Sequence, residues 1–268
     1  MRRLVRLLVL NLTRQPATAR LLDRLLADPE IRARALHGLS NSQAAAASFQ
    51  TVLASEPFQI CGFDDLSWLL ASNVLNHGLA RQEVAEAAYL YRLVSERSHA
   101  PLVAEIGRYT GGSTFLLAAA GATVLSLDIR EPRPGADAEL RAALERFGLA
   151  SRVEIETAAA LEYELNGRRF DLVFYDRAGP ADEVRAELAK WWTALKPGGS
   201  LIIRDGAGYP NNDVRAAIVD GVRTATADFA AHTPAARRIP GTPGSYAHFV
   251  NEEQSQRNAR PARRRDGE

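Results

Sequence analysis

Short apolar runs alternate with amphipathic stretches along the chain from residue 102 onward. Five of the runs predict β-strands, at Leu102–Ile106, Thr123–Asp128, Arg152–Glu156, Asp171–Asp176 and Ser200–Asp205. The stretches between them have helical spacing and predict helices at Ser113–Ala120, Asp137–Phe147, Ala159–Leu165 and Ala181–Leu195. This alternation is typical of a parallel sheet that helices cover on both faces. Such a sheet binds ligands beyond the carboxyl ends of its strands, where the strand order reverses.

The chain on either side of this alternation is predicted to be mostly helical. Leucines recur at helical spacing before residue 60, and Arg81–Arg97 has the pattern of a long amphipathic helix. After the fifth strand, Asp213–Thr224 predicts a helix, and Ala227–His232 with Ser245–Val250 predict a hairpin that closes the sheet. Polar and basic residues follow and predict a disordered tail. The resulting division is a helical extension over residues 1–60, a folded domain over residues 61–250 and a tail over residues 251–268.

The composition excludes several classes of protein. Hydrophobic residues make up 46% of the 268 positions, enough to bury a core without disulfides or metals. A formal net charge of +1 gives no general attraction to nucleic acid or to an anionic membrane. The single cysteine, Cys61, excludes an internal disulfide framework and a cysteine-rich zinc site, and favours a cytoplasmic location. No segment has the roughly 18 consecutive apolar residues that a membrane-spanning helix requires.

A glycine-containing turn between the first predicted strand and helix is the most informative segment. It reads Glu105-Ile106-Gly107-Arg108-Tyr109-Thr110-Gly111-Gly112-Ser113-Thr114. Glycines allow a sharp turn and a close approach of a ligand, and Ser113 suits a helix N-cap whose free N–H groups favour an anion. Gly107 and Gly112 fit the outer positions of the dinucleotide fingerprint G-x-G-x-x-G, but Tyr109 stands at the middle one. A pyrophosphate needs that middle glycine, so the turn argues against a nicotinamide cofactor.

A carboxylate ends the second predicted strand, about 20 residues after the glycine turn. Asp128 holds this position. An acidic side chain there can accept hydrogen bonds from both hydroxyls of a ribose. The simpler interpretation is a turn residue or a helix cap, but the position at a strand end favours the ribose.

Together these motifs resemble those of the class I S-adenosylmethionine-dependent methyltransferases, in particular the catechol O-methyltransferase-like enzymes and related bacterial small-molecule methyltransferases. The resemblance covers about residues 60–250. Its landmarks, in the family's order, are the glycine turn, Ser126-Leu127-Asp128, Phe170-Asp171-Leu172-Val173-Phe174-Tyr175-Asp176, and Leu195-Lys196-Pro197-Gly198-Gly199 with the run to Asp205. It implies a Rossmann-like α/β fold, in which a terminal antiparallel hairpin completes a parallel seven-stranded sheet and helices lie on both faces.

The resemblance implies that nine residues contact the cofactor, S-adenosyl-L-methionine: Glu105, Gly107, Tyr109, Gly111, Ser113, Asp128, Thr157, Ala158 and Asp176. The first five would surround the methionine part, with its carboxylate at Gly111 and Ser113. Asp128 would bind the ribose, and the two residues that follow the third strand would border the adenine. Asp176 would lie beside the sulfonium, at the mouth of the acceptor pocket.

The acceptor side of the family pattern is incomplete. Catechol-type enzymes hold Mg²⁺ with oxygen ligands after the fourth and fifth strands, and Asp176 and Asp205 match two of these ligands. The third ligand position falls on Gly206, and the position of a lysine base falls on Gly179. Because Mg²⁺ keeps several waters, two aspartates can suffice, and the sequence leaves a Mg²⁺ site open. Without a metal, Asp205 is interpreted as a cap of the following loop.

Several side chains are candidates for a base that deprotonates an acceptor. Asp176 is the first by position. His77 follows, because it lies in the helical part that covers the pocket in the family. His232 and His248 lie near the closing strands, but a lone histidine is more often a packing or surface residue.

The sequence therefore predicts a cytoplasmic methyltransferase that acts on an oxygen of a small-molecule acceptor. The sulfonium already activates the methyl group, so the protein mainly aligns the acceptor with it. Where amino-base methylases carry an N/D-P-P-Y motif, this chain reads Asp176-Arg177-Ala178-Gly179-Pro180, which argues against a nucleic-acid substrate. The alternatives are a catalytically lapsed interaction domain that binds S-adenosylmethionine and, less favoured, an NAD-dependent oxidoreductase. The N-terminal helices are expected to pack on the core or to form a homodimer.

Overall fold

The structure is a computed structural model that describes residues 49, 53, 58–70, 79–207 and 213–252. Within them one sheet contains the strands β1 (Leu102–Ile106), β2 (Thr123–Asp128), β3 (Val153–Thr157), β4 (Phe170–Tyr175), β5 (Leu195–Ile203), β6 (Ala236–Ile239) and β7 (Ala247–Asn251). The strand order is β3-β2-β1-β4-β5-β7-β6. Neighbours from β3 to β5 run parallel, whereas β7 is antiparallel to both β5 and β6. The predicted Rossmann-like sheet with an antiparallel hairpin at its end is confirmed.

Helices cover both faces of the sheet. They are α1 (Ser67–Leu70), α2 (Val84–Ser95), α3 (Gly112–Ala119), α4 (Ala136–Arg146), α5 (Ala181–Thr193) and α6 (Asp213–His232), with 3-10 helices at Phe63–Leu66 and Ala150–Arg152. On one face, Leu90, Phe115 and Leu140 bring α2, α3 and α4 into a fully buried cluster. On the other face, Leu188 and Val222 bring α5 and α6 into a second cluster. The ends of the strands are therefore the surface left for a ligand.

The β-rich runs predicted the parallel strands well. β1 and β2 begin and end where predicted, and β3 and β4 are each displaced by one residue. β5 begins at Leu195 instead of Ser200, because Leu195 already pairs with Phe170 on β4 before a register shift.

The predicted helix at Ala159–Leu165 is wrong, since these residues form turns and irregular chain. The carbonyl oxygens of Leu161 and Tyr163 accept hydrogen bonds from Nζ of Lys190, at 2.7 and 2.6 Å. Carbonyls that point at a lysine on α5 are not available for helical bonds. A segment this short is marginal as a helix, so the tertiary contacts decide its conformation.

The first strand of the closing hairpin lies later than predicted. Ala227–His232 continues α6, and the strand is β6, at Ala236–Ile239. Phe229 is buried and packs against Trp192 and Phe249, with ring centroids 5.2 and 5.3 Å apart. Burial on the helix face outweighs the local β-pattern there.

Several predictions fall outside the described residues. They concern nearly all of the extension over residues 1–60, His77, the loop over residues 208–212 and the tail from residue 253. The domain boundaries therefore stay a prediction. In the described part of the chain, no helix combines the length and the apolar composition that crossing a membrane requires.

Candidate active site

The candidate site lies where the strand order reverses, between the carboxyl ends of β1 and β4. The amide of Gly107 donates to the carbonyl of Leu127 at 2.8 Å, and the amide of Asp176 donates to the carbonyl of Ile106 at 2.8 Å. Gly107 has a φ of +96°, and a Cβ there would lie 2.3 Å from the carbonyl oxygen of Asp176. Only glycine allows this close approach of the two strand ends.

Glu105 is the buried carboxylate beneath the glycine turn. Its Oε2 accepts hydrogen bonds from the hydroxyl of Thr114 and, at 2.7 Å, from that of Ser126. Its Oε1 is buried and accepts no hydrogen bond from the described residues. Burial raises the pKa of Glu105 to about 7, although the hydroxyl hydrogen bonds act in the opposite direction. A buried acceptor of this kind fits a cationic group of a ligand.

Asp128 lies at the end of β2 and closes the turn from the other side. Its Oδ2 accepts a hydrogen bond of 2.8 Å from the amide of Tyr109, which has a φ of +51°. Its Oδ1 accepts a longer bond, 3.4 Å, from the amide of Arg130. The carboxylate is half-buried and caps the turn, which agrees with the interpretation of Asp128 as a turn residue. The same position at the sheet edge leaves it open to a ligand hydroxyl.

Arg108 anchors the turn from below, and its role was not predicted. The side chain is 1% exposed. Nε and Nη2 donate to the carboxylate of Asp137 at 3.0 and 2.7 Å, and Nη1 donates to the carbonyls of Ser126 and Glu156 at 3.1 and 2.9 Å. The guanidinium thus joins the turn to β2, β3 and the start of α4. Because arginine is rarely buried, a lone arginine in a motif gives no sequence signal for this role.

The start of α3 is tightly covered. Gly111 has a φ of +86°, and a Cβ there would meet the side chain of Leu140 at 2.3 Å. A Cβ at Gly112 would lie 2.2 Å from the backbone of Leu79 and Ala80. Ser113, predicted to meet a ligand carboxylate, is 4% exposed. The segment before α2 therefore lies directly on the helix start that was predicted to bind an anion.

The predicted adenine side lies at the end of β3. Thr157 is exposed, and the amide of Ala158 donates to the carbonyl of Asp128 at 3.0 Å. Ile129, which follows Asp128, is 63% exposed. An exposed apolar side chain beside a predicted ribose site is a candidate for contact with a flat base, and no motif in the sequence predicted it.

Asp176 lies at the end of β4, within a network of hydrogen bonds. Nη1 of Arg204 lies 2.9 and 3.1 Å from its two carboxylate oxygens, and Nε2 of Gln82 donates to Oδ2 at 2.8 Å. Nη2 of Arg204 donates to the carbonyl of Arg81 at 2.6 Å. The guanidinium of Arg81 stacks 4.2 Å above the ring of Tyr109 and donates to its hydroxyl at 2.8 Å. Residues 81–82 thus connect the glycine turn to the acceptor side.

The other acceptor-side candidates are placed differently. Asp205 follows β5 with a φ of +64° and is 9% exposed, and its amide donates to Oγ of Ser245 at 3.1 Å. His232 is exposed at the end of α6, where the chain leads into β6 away from the carboxyl end of β5, and it bonds through Nδ1 to the carbonyl of Asp228. His248 is buried on β7 and bonds through Nδ1 to the hydroxyl of Tyr89 at 2.7 Å. The structure therefore does not bring His232 to the site and uses His248 in the core.

Residues 104–206 match a protein-family model described as a methyltransferase domain. No curated protein matches the chain. Among solved structures, the chain is similar to a protein assigned as a caffeoyl-CoA O-methyltransferase from Staphylococcus aureus, with 15% identity, a TM-score of 0.50 and coverage of 62% of this chain and 81% of that one. It is similar to the O-methyltransferase from Bacillus cereus in complex with SAH (22% identity, TM-score 0.48, 80% of this chain and 100% of that one). It is also similar to cofactor-bound Rv0187 from MTB (24% identity, TM-score 0.49, 64% and 82%).

The sheet, its strand order and the helices on its faces form a Rossmann-like methyltransferase fold. Over residues 104–206, the family match confirms the predicted resemblance to the class I S-adenosylmethionine-dependent methyltransferases.

Proposed function

We propose that this protein transfers a methyl group from S-adenosyl-L-methionine to an oxygen of a small-molecule acceptor. The observation that carries the proposal is the glycine turn at the switch in strand order, with the carboxylates of Glu105 and Asp128 on its two sides. The absent middle glycine of the dinucleotide fingerprint, at Tyr109, favours this cofactor over NAD. The net charge of +1 favours a small acceptor over a nucleic acid.

The residues around the turn fit the parts of this cofactor. Oε1 of Glu105 is a buried acceptor that suits the ammonium of the methionine part. Asp128 would hold the ribose, and Thr157, Ala158 and the exposed Ile129 would border the adenine. When bound, S-adenosyl-L-methionine supplies a methyl group that its positive sulfur already activates.

The chain itself must position the acceptor and take up a proton. Asp176 is the carboxylate at the mouth of the site, and Arg204 and Gln82 fix its orientation by three hydrogen bonds. A carboxylate fixed in this way can align a hydroxyl by accepting its hydrogen bond and can receive its proton as the methyl group is transferred. Residues 81–82 join this carboxylate to Tyr109, so cofactor and acceptor would be positioned by one connected network.

Calorimetry with S-adenosylhomocysteine and with NAD tests the cofactor. We expect binding of the first and none of the second. Asp128→Ala should weaken S-adenosylhomocysteine binding by about 1.5–3 kcal/mol, roughly 10- to 100-fold in Kd, because bonds to a charged group are lost. Asp182→Ala, whose side chain is 94% exposed on α5, is the matched control and should bind like the wild type. Equal affinity of the wild type and Asp128→Ala would contradict the assigned ribose site.

A screen of hydroxylated small molecules tests the reaction. Formation of S-adenosylhomocysteine is measured with each acceptor, and mass spectrometry with NMR identifies the methylated atom. Methylation at oxygen supports the proposal, and methylation at nitrogen would contradict oxygen as the acceptor atom. Tight cofactor binding without turnover on any acceptor would favour the catalytically lapsed interaction domain.

A further inference from the structure

The acceptor side of the site offers few carboxylates to a divalent metal. Mg²⁺ needs octahedral oxygen ligands, and one or two carboxylates usually hold it while waters complete the shell. Among residues 58–70, 79–207 and 213–252, no group of three or more His, Cys, Asp or Glu side chains is arranged to hold a metal ion. Asp176 and Asp205 are therefore the candidate carboxylate ligands.

Asp176 already has a cation at both carboxylate oxygens. Nη1 of Arg204 lies within 3.1 Å of each of them, and Gln82 donates to Oδ2 at 2.8 Å. The side chains of Arg204 and Asp176 are 7% and 15% exposed, so little water surrounds the pair. Removing one member of such a buried pair is strongly unfavourable. A Mg²⁺ ion, which loses its own waters reluctantly, would have to displace the guanidinium first.

The position of the third family ligand is tightly packed. A Cβ at Gly206 would lie 3.0 Å from the Cβ of Ala247 and 3.0 Å from Oγ1 of Thr226. A side chain there requires its neighbours on β7 and α6 to give by a few tenths of an ångström. The preceding residue, Asp205, is held through its amide by Oγ of Ser245, which in turn donates to Glu86 at 2.8 Å. Residues 204–207 are therefore held by neighbouring elements of the fold.

Arg204 is itself fixed in place. Its amide donates to the carbonyl of Tyr175 at 2.9 Å, and Nη2 donates to the carbonyl of Arg81 at 2.6 Å. The positive charge at the carboxyl ends of β4 and β5 is thus the guanidinium of Arg204, which is held in a defined position. We propose that Arg204 takes the place of the divalent cation of catechol-type enzymes as the positioning cation for Asp176, so that methyl transfer by this protein needs no metal.

The inference rests on the proposed function and narrows its substrate class. A divalent cation can bind two neighbouring oxygens of an acceptor and lower the pKa of a bound hydroxyl. The guanidinium of Arg204 already pairs with Asp176, so it does not bind two acceptor oxygens in the way a metal ion does. The acceptor therefore does not need two vicinal hydroxyl groups, and a single nucleophilic oxygen is sufficient.

Metal binding tests the inference without turnover. Mn²⁺, which prefers the same oxygen ligands as Mg²⁺ and is visible by EPR, is titrated to about 1 mM into the wild type and Asp176→Asn. We expect the two titrations to coincide, because Asp176 holds no ion. A bound signal in the wild type that Asp176→Asn removes would overturn the proposal. If S-adenosylhomocysteine fails to bind, the proposed function fails, but this titration still decides whether Asp176 is a metal ligand.

Turnover with an acceptor from the screen tests the role of Arg204. We expect the wild type to be equally active in EDTA and in Mg²⁺. Arg204→Met should lower kcat by about 100-fold with little change in the KM for S-adenosylmethionine, while Arg204→Lys, which keeps the charge, retains more activity than Arg204→Met. Loss of wild-type activity in EDTA, or wild-type kcat in Arg204→Met, would overturn the proposal. If Arg204→Met does not fold, the EDTA comparison decides.

Discussion

Among single residues, Glu105 connects the candidate cofactor site to pH. Burial raises its pKa to about 7, against hydrogen bonds from neighbouring hydroxyls and the charge of Arg108, which lower it. The raised pKa means that the carboxyl is partly protonated near neutral pH. A ligand ammonium at Oε1 would favour the ionised form, so binding of the cofactor and ionisation of Glu105 should be linked.

We expect S-adenosylhomocysteine to bind more tightly as the pH rises from about 6 to about 8. The gain should reach about tenfold, because only about a tenth of a carboxyl is ionised one unit below its pKa. Calorimetry across this range measures the effect. Glu105→Gln should bind with little dependence on pH, whereas Glu145→Gln, at an exposed position on α4, should follow the wild type. A wild-type affinity that does not change with pH would show that Glu105 is not the acceptor of the ammonium.

Among the elements, the contact between α3 and the segment before α2 organises the site. Thr110 donates through Oγ1 to the carbonyl of Leu79 at 3.1 Å, and the amide of Ala80 donates to the carbonyl of Leu69 at 3.0 Å. The same segment carries Gln82 to Asp176. Packing at the start of α3 therefore determines the position of Gln82 on the acceptor side of the site.

Gly112→Ala should disrupt this contact. The new Cβ would lie 2.2 Å from the backbone of Leu79 and Ala80, and backbone cannot move aside as a flexible side chain can. We expect a loss of about 1–3 kcal/mol in the free energy of unfolding, the usual cost of overpacking. Gly62→Ala is the control, because a Cβ there would meet nothing within 4 Å, and its effect should stay within about 0.5 kcal/mol. Urea unfolding of the three proteins measures both. Equal stability of the two variants would show that the segment moves freely.

The sequence predicted those parts of the fold and site that depend on local pattern. β1, the glycine turn, α3 and β2 follow one another in the chain, so the strand-end positions of Glu105 and Asp128 could be predicted from local pattern. The helix predicted at Ala159–Leu165 failed because Lys190, far along the chain, binds its carbonyls. For the same reason the partners of Asp176 were missed, since Gln82 and Arg204 are remote from it in sequence.

At the scale of the whole molecule, the parallel and the antiparallel parts of the sheet have different roles. The parallel strands β3 to β5 carry the candidate site at their carboxyl ends, while the antiparallel β7 and β6 extend the core past β5. His248 lies in this extension and is 4% exposed. Burial lowers its pKa to about 4, and the nearby charges of Arg237 and Arg97 act in the same direction. The ring is therefore neutral at neutral pH, hydrogen-bonded to the hydroxyl of Tyr89.

A depressed histidine pKa makes the stability of the whole fold depend on pH. In the unfolded chain the ring takes up a proton below its ordinary pKa of about 6.5, whereas in the folded protein it does so only near pH 4. Between these values the unfolded state binds more protons, so the contribution of His248 is complete above about pH 6.5 and is lost as the pH falls toward 4. From about pH 7 to about pH 4.5 the loss should be about 2–2.5 kcal/mol relative to His248→Gln, which cannot titrate. Urea unfolding from about pH 7 to about pH 4.5 measures this difference.

His232→Gln, exposed at the end of α6, is the control for a surface histidine. If the wild type and His248→Gln lose stability in parallel over this range, His248 is not held neutral by the fold, and the buried pair with Tyr89 does not contribute to acid sensitivity.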